Sequence, residues 1–176
     1  MGTDEVGSAL PEPGRRISLR RVRDDGALGD LIGFVRSADA IGLELVDRRG
    51  IEHRLTWEQV LAWRTVGVAR GRDPKRTTLV ELTRLAQAAG VSGRIFVTRL
   101  SDLLDQRPPV QVSDFGDPPP CPARLEGEWV TAAPADDVLQ LAWWAAHHDA
   151  RSMLVVTDDP EEAHRLVGLG FDERQR

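Results

Sequence analysis

The stretch RLVGLGF, residues 165–171, places Arg165 three positions before Gly168, with Gly170 following after one residue. Loops spelled this way can bind phosphates. Glycine lets backbone N–H groups approach an anion closely, and the helix that follows aims its positive end at the charge. That chemistry requires a strand, then the loop, then a helix of several turns. Here Asp159 and Pro160 spell the start of a helix that already contains Arg165. Gly168 then falls where a left-handed C-terminal cap belongs, so the stretch reads as a helix end and not as a phosphate cradle.

Other groupings are weaker. His147, His148 and Asp149 bring two imidazoles and a carboxylate together, but neighbouring helical residues diverge by about 100°, too far to share one metal ion. No metal site is expected, and a histidine near a helix C-terminus suits the dipole. His164, on a short helix, reads as a surface residue. Cys121 stands among prolines without a nearby His or Asn, so it reads as an inert loop cysteine. As the only cysteine it excludes an internal disulfide. Trp143 and Trp144 adjoin on one helix; one ring fits a core, and the other could meet a protein partner or a second copy. The basic run LRRVR (19–23) is followed at once by Asp24 and Asp25, and the net charge is −5, so nucleic acid is not an expected partner. No catalytic or cofactor-binding residue can be named.

The elements that would position these residues divide the chain. Residues 1–14 are polar and rich in Gly and Pro, which predicts a disordered tail. From 15 to 69 the pattern is β: Ile17 and Leu19 alternate, with Val22 after a slip, and Ile41, Leu43 and Leu45 alternate again. Gly29 and Gly33 suggest a bend or bulge, DRRG (47–50) a tight turn, and Ile51, His53, Leu55 and Trp57 share a face. WEQVLAW reads as one helical turn and RTVGVA as a last short strand. Five short strands with a helical turn before the fifth describe a small SH3-like barrel. Residues 70–76, RGRDPKR, read as a charged linker.

From 77 to 176 helix and strand alternate. Thr78 and Glu81 spell a capping box, ahead of a stripe of Leu79, Leu82, Leu85, Ala86 and Ala89 that Gly90 stops. Strands are expected at 94–100, 109–115 and within 123–132, with a short helix at 101–106 and a stiff proline loop at 116–122. A helix over 135–150, the largely apolar strand 152–157 and a helix opening at Asp159 complete an α/β unit. The fold class expected is therefore α+β, a barrel followed by an α/β part.

The segment SMLVVTDDPEEAHRLVGLGF, preceded by LQLAWWAAHHDARS, resembles the C-terminal part of GCN5-related N-acetyltransferases (GNATs), where a strand, a short helix ending in LGF and a last hairpin follow a long helix. GALGDLIGF, the DRRG turn and VLAWRTV resemble the SH3-like domain that precedes the acetyltransferase domain in some actinobacterial members. The resemblance covers about residues 15–70 and 135–172. It implies an acetyltransferase-like domain over 77–176 that binds acetyl-CoA and transfers its acetyl group to an amine. The chain departs from the family at the sites that matter. The pyrophosphate signature belongs near 128–136, where this chain reads EWVTAAPAD; the sequence holds no tyrosine to serve as the family's acid, and HRLVG stands at its usual place, with His164 as the candidate replacement acid; and a final strand is missing or minimal. The expectation is thus a degenerate acetyltransferase relative. The alternative is a non-catalytic interaction or regulatory protein that uses the barrel and the tryptophan helix. With no basic, apolar leader and no apolar run of membrane-spanning length, a cytoplasmic location is expected.

Overall fold

The computed structural model describes residues 9–105, 107–108 and 118–175. Among these, the chain forms ten β-strands and four α-helices, a mixed α+β architecture in two compact units that meet in sequence at Gly67 and Val68. The strand expected over 109–115 lies outside the described residues, as do 1–8 of the expected tail.

The first unit is an antiparallel sheet of β1 (Arg16–Val22), β2 (Leu28–Ala38), β3 (Gly42–Asp47), β4 (Glu52–Thr56) and β5 (Val60–Thr65), in the order β4-β3-β2-β1-β5. Alternation turns Ile17, Leu19, Val35, Leu43, Leu45 and Leu55 onto one buried face. The register shift between Val35 and Ser37 lets Val35 and Ala38, three apart, both pack there. A second shift at Arg20 and Arg21 is the slip expected before Val22. Aspartates shape all three hairpins. Asp25 Oδ1 accepts from Ala27 N, Asp39 Oδ1 from Ile41 N and Gly42 N, and Asp47 Oδ1 from Arg49 N and Ile51 N. The amides of Ile41 and Gly42 hold the Asp39 carboxyl below its ordinary range.

Three expectations for this region need correction. A 3₁₀ turn occupies only Trp57–Gln59 and β5 begins at Val60, because Val60 to Trp63 join the β1 ladder. No ladder among the described residues joins β4 to β5, so the described strands do not close into a barrel. Residues 9–14 are not a loose tail: Pro11 and Gly14 are buried, and Gly14 N donates to Val35 O at 2.7 Å.

Gly33 serves close approach and not a bend. A Cβ there would stand 2.3 Å from Val46 O and 2.9 Å from Leu45 Cγ, whereas at Gly29 it would meet only the flexible Arg23 side chain, at 3.1 Å. Gly33→Ala is expected to cost about 1–3 kcal/mol in urea denaturation and Gly29→Ala less than about 0.5 kcal/mol. Equal effects would contradict this placement of β2 against β3.

The second unit carries the sheet β10-β6-β9-β8-β7. Its strands are β6 (Arg94–Arg99), β7 (Ala123–Glu126), β8 (Trp129–Ala132), β9 (Ser152–Thr157) and β10 (Asp172–Arg174). Among the described strands only β8 and β9 run parallel, joined through α3 (Val138–His147). The stretch 123–132, expected as one strand, is a hairpin turned at Gly127. Strand β9, apolar from Met153 to Val156, is buried at every position, as a central strand must be.

Helix α1 (Leu79–Ala88) starts where Thr78 Oγ1 accepts from Glu81 N at 3.3 Å, but Glu81 turns to Arg84, so only half of the capping box forms. Its Leu82, Leu85 and Ala86 pack on Ile95, Val97, Leu154 and Val156. Phe96, Met153 and Val155 point to the other sheet face and are buried as well. Helix α2 (Leu100–Leu104) contacts β6 and α3, and α4 (Pro160–Leu169) contacts β9. The expected linker 70–76 belongs to this unit: Pro74 is buried in a 3₁₀ turn that Asp73 caps, and Lys75 pairs with Asp172 at 3.0 Å.

Candidate functional site

An acyl-CoA site of the kind the resemblance implies would sit on the loop between β8 and α3 and on the first turn of α3. The β8–β9 ladder runs unbroken from Trp129↔Ser152 to Ala132↔Val155. The chain then passes through Ala133 and Pro134 to Asp137, the residue before α3, whose side chain caps no amide. Pro134 has no N–H to offer. Asp136 and Asp137 place two carboxylates at the positive end of α3, where the dipole favours them. A phosphate bound there would meet like charge, at about 1 kcal/mol per pair 4 Å apart even in water.

Arg165 closes the same loop from α4. Its Nε lies 2.9 Å from Glu162 Oε2, and its Nη2 donates to Glu162 Oε1 at 2.5 Å and to Ala135 O at 2.8 Å. The guanidinium is thus committed to a carboxylate and a backbone carbonyl. Asp159 Oδ1 caps α4 by accepting from Glu161 N and Glu162 N. The helix runs through Gly168 and ends at Gly170, whose φ of 101° is left-handed. The expected cap at Gly168 is therefore two residues early; one glycine inside a helix costs only about 1 kcal/mol. Gly170 N and Phe171 N donate to Val167 O and Leu166 O. These amides serve a helix end and do not converge on an anion.

The structure separates the remaining candidates. His147 is buried, and His148 lies against Trp144, with ring centroids 4.2 Å apart and Nδ1 2.7 Å from Trp144 O. Asp149 takes a left-handed φ of 63° while Ala150 N reaches Ala145 O, so it turns the chain out of α3. Among the described residues no cluster of His, Cys, Asp and Glu could hold a metal. Burial, with the Asp137 carboxylate, pushes the Cys121 thiol up, away from the thiolate a nucleophile needs. His164 is exposed on α4.

Trp143 and Trp144 are 4% and 8% exposed, so the expected partner or dimer contact through this pair is corrected: both rings are covered within the chain. In the LRRVR run, Arg20 faces Asp30 at 3.6 Å and Arg23 faces Asp25 at 3.5 Å. No protein-family model matches the chain, and neither a curated protein nor a solved structure matches it significantly. No helix among the described residues is long and apolar enough to cross a membrane. Sequence reasoning missed the bond from Arg165 to Ala135, which joins residues 30 apart, and a cleft beside α1; neither leaves a local pattern.

Proposed function

We propose that the chain is a non-catalytic binding protein, in which an SH3-like unit precedes a reduced relative of the GNAT acetyltransferases that no longer transfers an acetyl group. The strand order β4-β3-β2-β1-β5, with a 3₁₀ turn just before the fifth strand, supports the SH3-like reading of the first unit. The succession β8-α3-β9-α4, with parallel β8 and β9, supports kinship with the acetyltransferases. After α4, where the family forms a last hairpin, the chain instead sends β10 to pair with β6.

One observation carries the loss of acyl transfer. The α3 N-terminus, where a pyrophosphate would need bare amides, bears Asp136 and Asp137, lacks a donor at Pro134, and is tied to Arg165 through Ala135 O. With the tryptophan pair buried, Leu28 and Ile32, 57% and 46% exposed on β2, are apolar contacts that the SH3-like unit offers a partner.

Thermal denaturation with acetyl-CoA and with CoA tests this reading. No rise in melting temperature is expected at millimolar ligand. Saturable stabilisation at micromolar ligand, which approaches about 2.7 kcal/mol at a hundredfold excess over Kd, would overturn it.

A further inference from the structure

Beside α1 lies a cleft of about 520 Å³. Its apolar lining includes Leu79, Ala86 and Ile95, and Thr83 and Gln87 add polar groups from α1. It shares no residue with the loop between β8 and α3. Strand β10, which contributes Arg174, is the sheet's edge and, among the described residues, pairs only with β6, so its outer main-chain groups have no partner strand there.

The charges around the cleft are unevenly matched. Arg94 and Glu173 close on each other in a two-pronged pair, 2.8 Å at each contact. Arg174 donates instead to the carbonyls of Lys75 and Thr77, which precede α1. Asp158 Oδ1 accepts from Arg94 N at 3.2 Å, beside Gly93, which follows the end of α1. Neither Arg174 nor Asp158 has an oppositely charged side chain within salt-bridge distance among the described residues, although the Asp158 carboxylate is near enough to the Arg94 guanidinium to favour its charged form. A cation thus marks the N-terminal end of α1 and an anion its C-terminal end, in the same sense as the helix dipole. Leu79 and Gln87, which both line the cleft, are eight residues apart, or about 12 Å along a helix. An extended chain covers that distance in three or four residues.

We propose that this cleft binds a short extended peptide segment laid along β10. A basic side chain meets Asp158, an acidic group meets Arg174, and an apolar side chain rests on Ile95. Main-chain bonds to a sheet edge supply affinity, and the two charges fix direction. The inference rests on reading the chain as a binding protein, but it uses other residues than the acyl-CoA argument. Failure of one therefore leaves the other standing.

The test is an amide-shift titration of the full chain with three end-blocked tetrapeptides: Lys-Leu-Val-Glu, Gln-Leu-Val-Gln and Lys-Leu-Val-Lys. Saturable shifts at Thr83, Gln87 and Ile95 are expected, with the dipolar peptide binding about fivefold tighter than either control. Asp158→Asn keeps the oxygen that accepts from Arg94 N and is expected to abolish that preference. Absence of saturation at millimolar dipolar peptide, equal binding of the neutral peptide, or an unchanged preference in Asp158→Asn would each overturn the proposal.

Discussion

Lowering the pH from 6.5 to 5 is expected to remove about 1.6 kcal/mol of folding stability through His147 alone. Burial pushes this imidazole down to about 3, and the neighbouring His148 adds to the shift. In the unfolded chain the same group takes up its proton near pH 6.5. Between the two values the unfolded state binds more protons, so stability is complete above about pH 6.5. It declines as the pH falls and stops declining only near pH 3, where the folded imidazole also protonates. The shifted carboxylates, Asp39, Asp47, Glu81, Glu126 and Glu173, all move downward, so their share of the stability is lost below about pH 5, outside the range from pH 6.5 to 5. Urea midpoints of the natural chain and of His147→Leu at pH 6.5 and 5 isolate the effect. The variant should lose this part of the slope, and equal slopes in the two proteins would contradict the burial of a neutral imidazole.

Phe96→Ala is expected to cost about 3–5 kcal/mol of folding stability. Phe96 is fully buried in β6, the strand that pairs with both β9 and β10. Its ring also lies under the Arg94 guanidinium, 5.4 Å from the centroid. Removal leaves a cavity between two ladders that cannot collapse independently. Val80→Ala, at a position 82% exposed on α1, should change stability by less than about 0.5 kcal/mol. Chemical denaturation of both variants checks the contrast, and a Phe96→Ala loss below about 1 kcal/mol would place β6 outside the core.

Local chemistry was legible where one residue decides one bond. Asp159 before Pro160 opens α4, Thr78 opens α1, and Ile17, Leu19, Leu43 and Leu45 alternate onto the core as their spacing requires. Reading failed where two periods compete or where the partner is distant. VLAW fits a helical turn as well as a strand, and only the β1 ladder settles it. Gly127 divides 123–132 into a hairpin because its left-handed φ of 57° suits a turn. The ordered start at residues 9–14 depends on Val35 O, more than twenty residues away. At the candidate site, Pro134 and the two aspartates were readable as departures from a phosphate loop, but the Arg165 bond that ties the loop was not. The tryptophan pair misled because α3 is buried on nearly every side, which an amphipathic reading does not anticipate.

The central claim is that the α3 N-terminus does not receive a pyrophosphate, and amide chemical shifts of residues 133 and 135–139 during a CoA titration test it most directly. The account predicts that these amides stay in place to millimolar CoA. Saturable displacement of the same amides at micromolar CoA would contradict it and restore an acyl-CoA-binding protein.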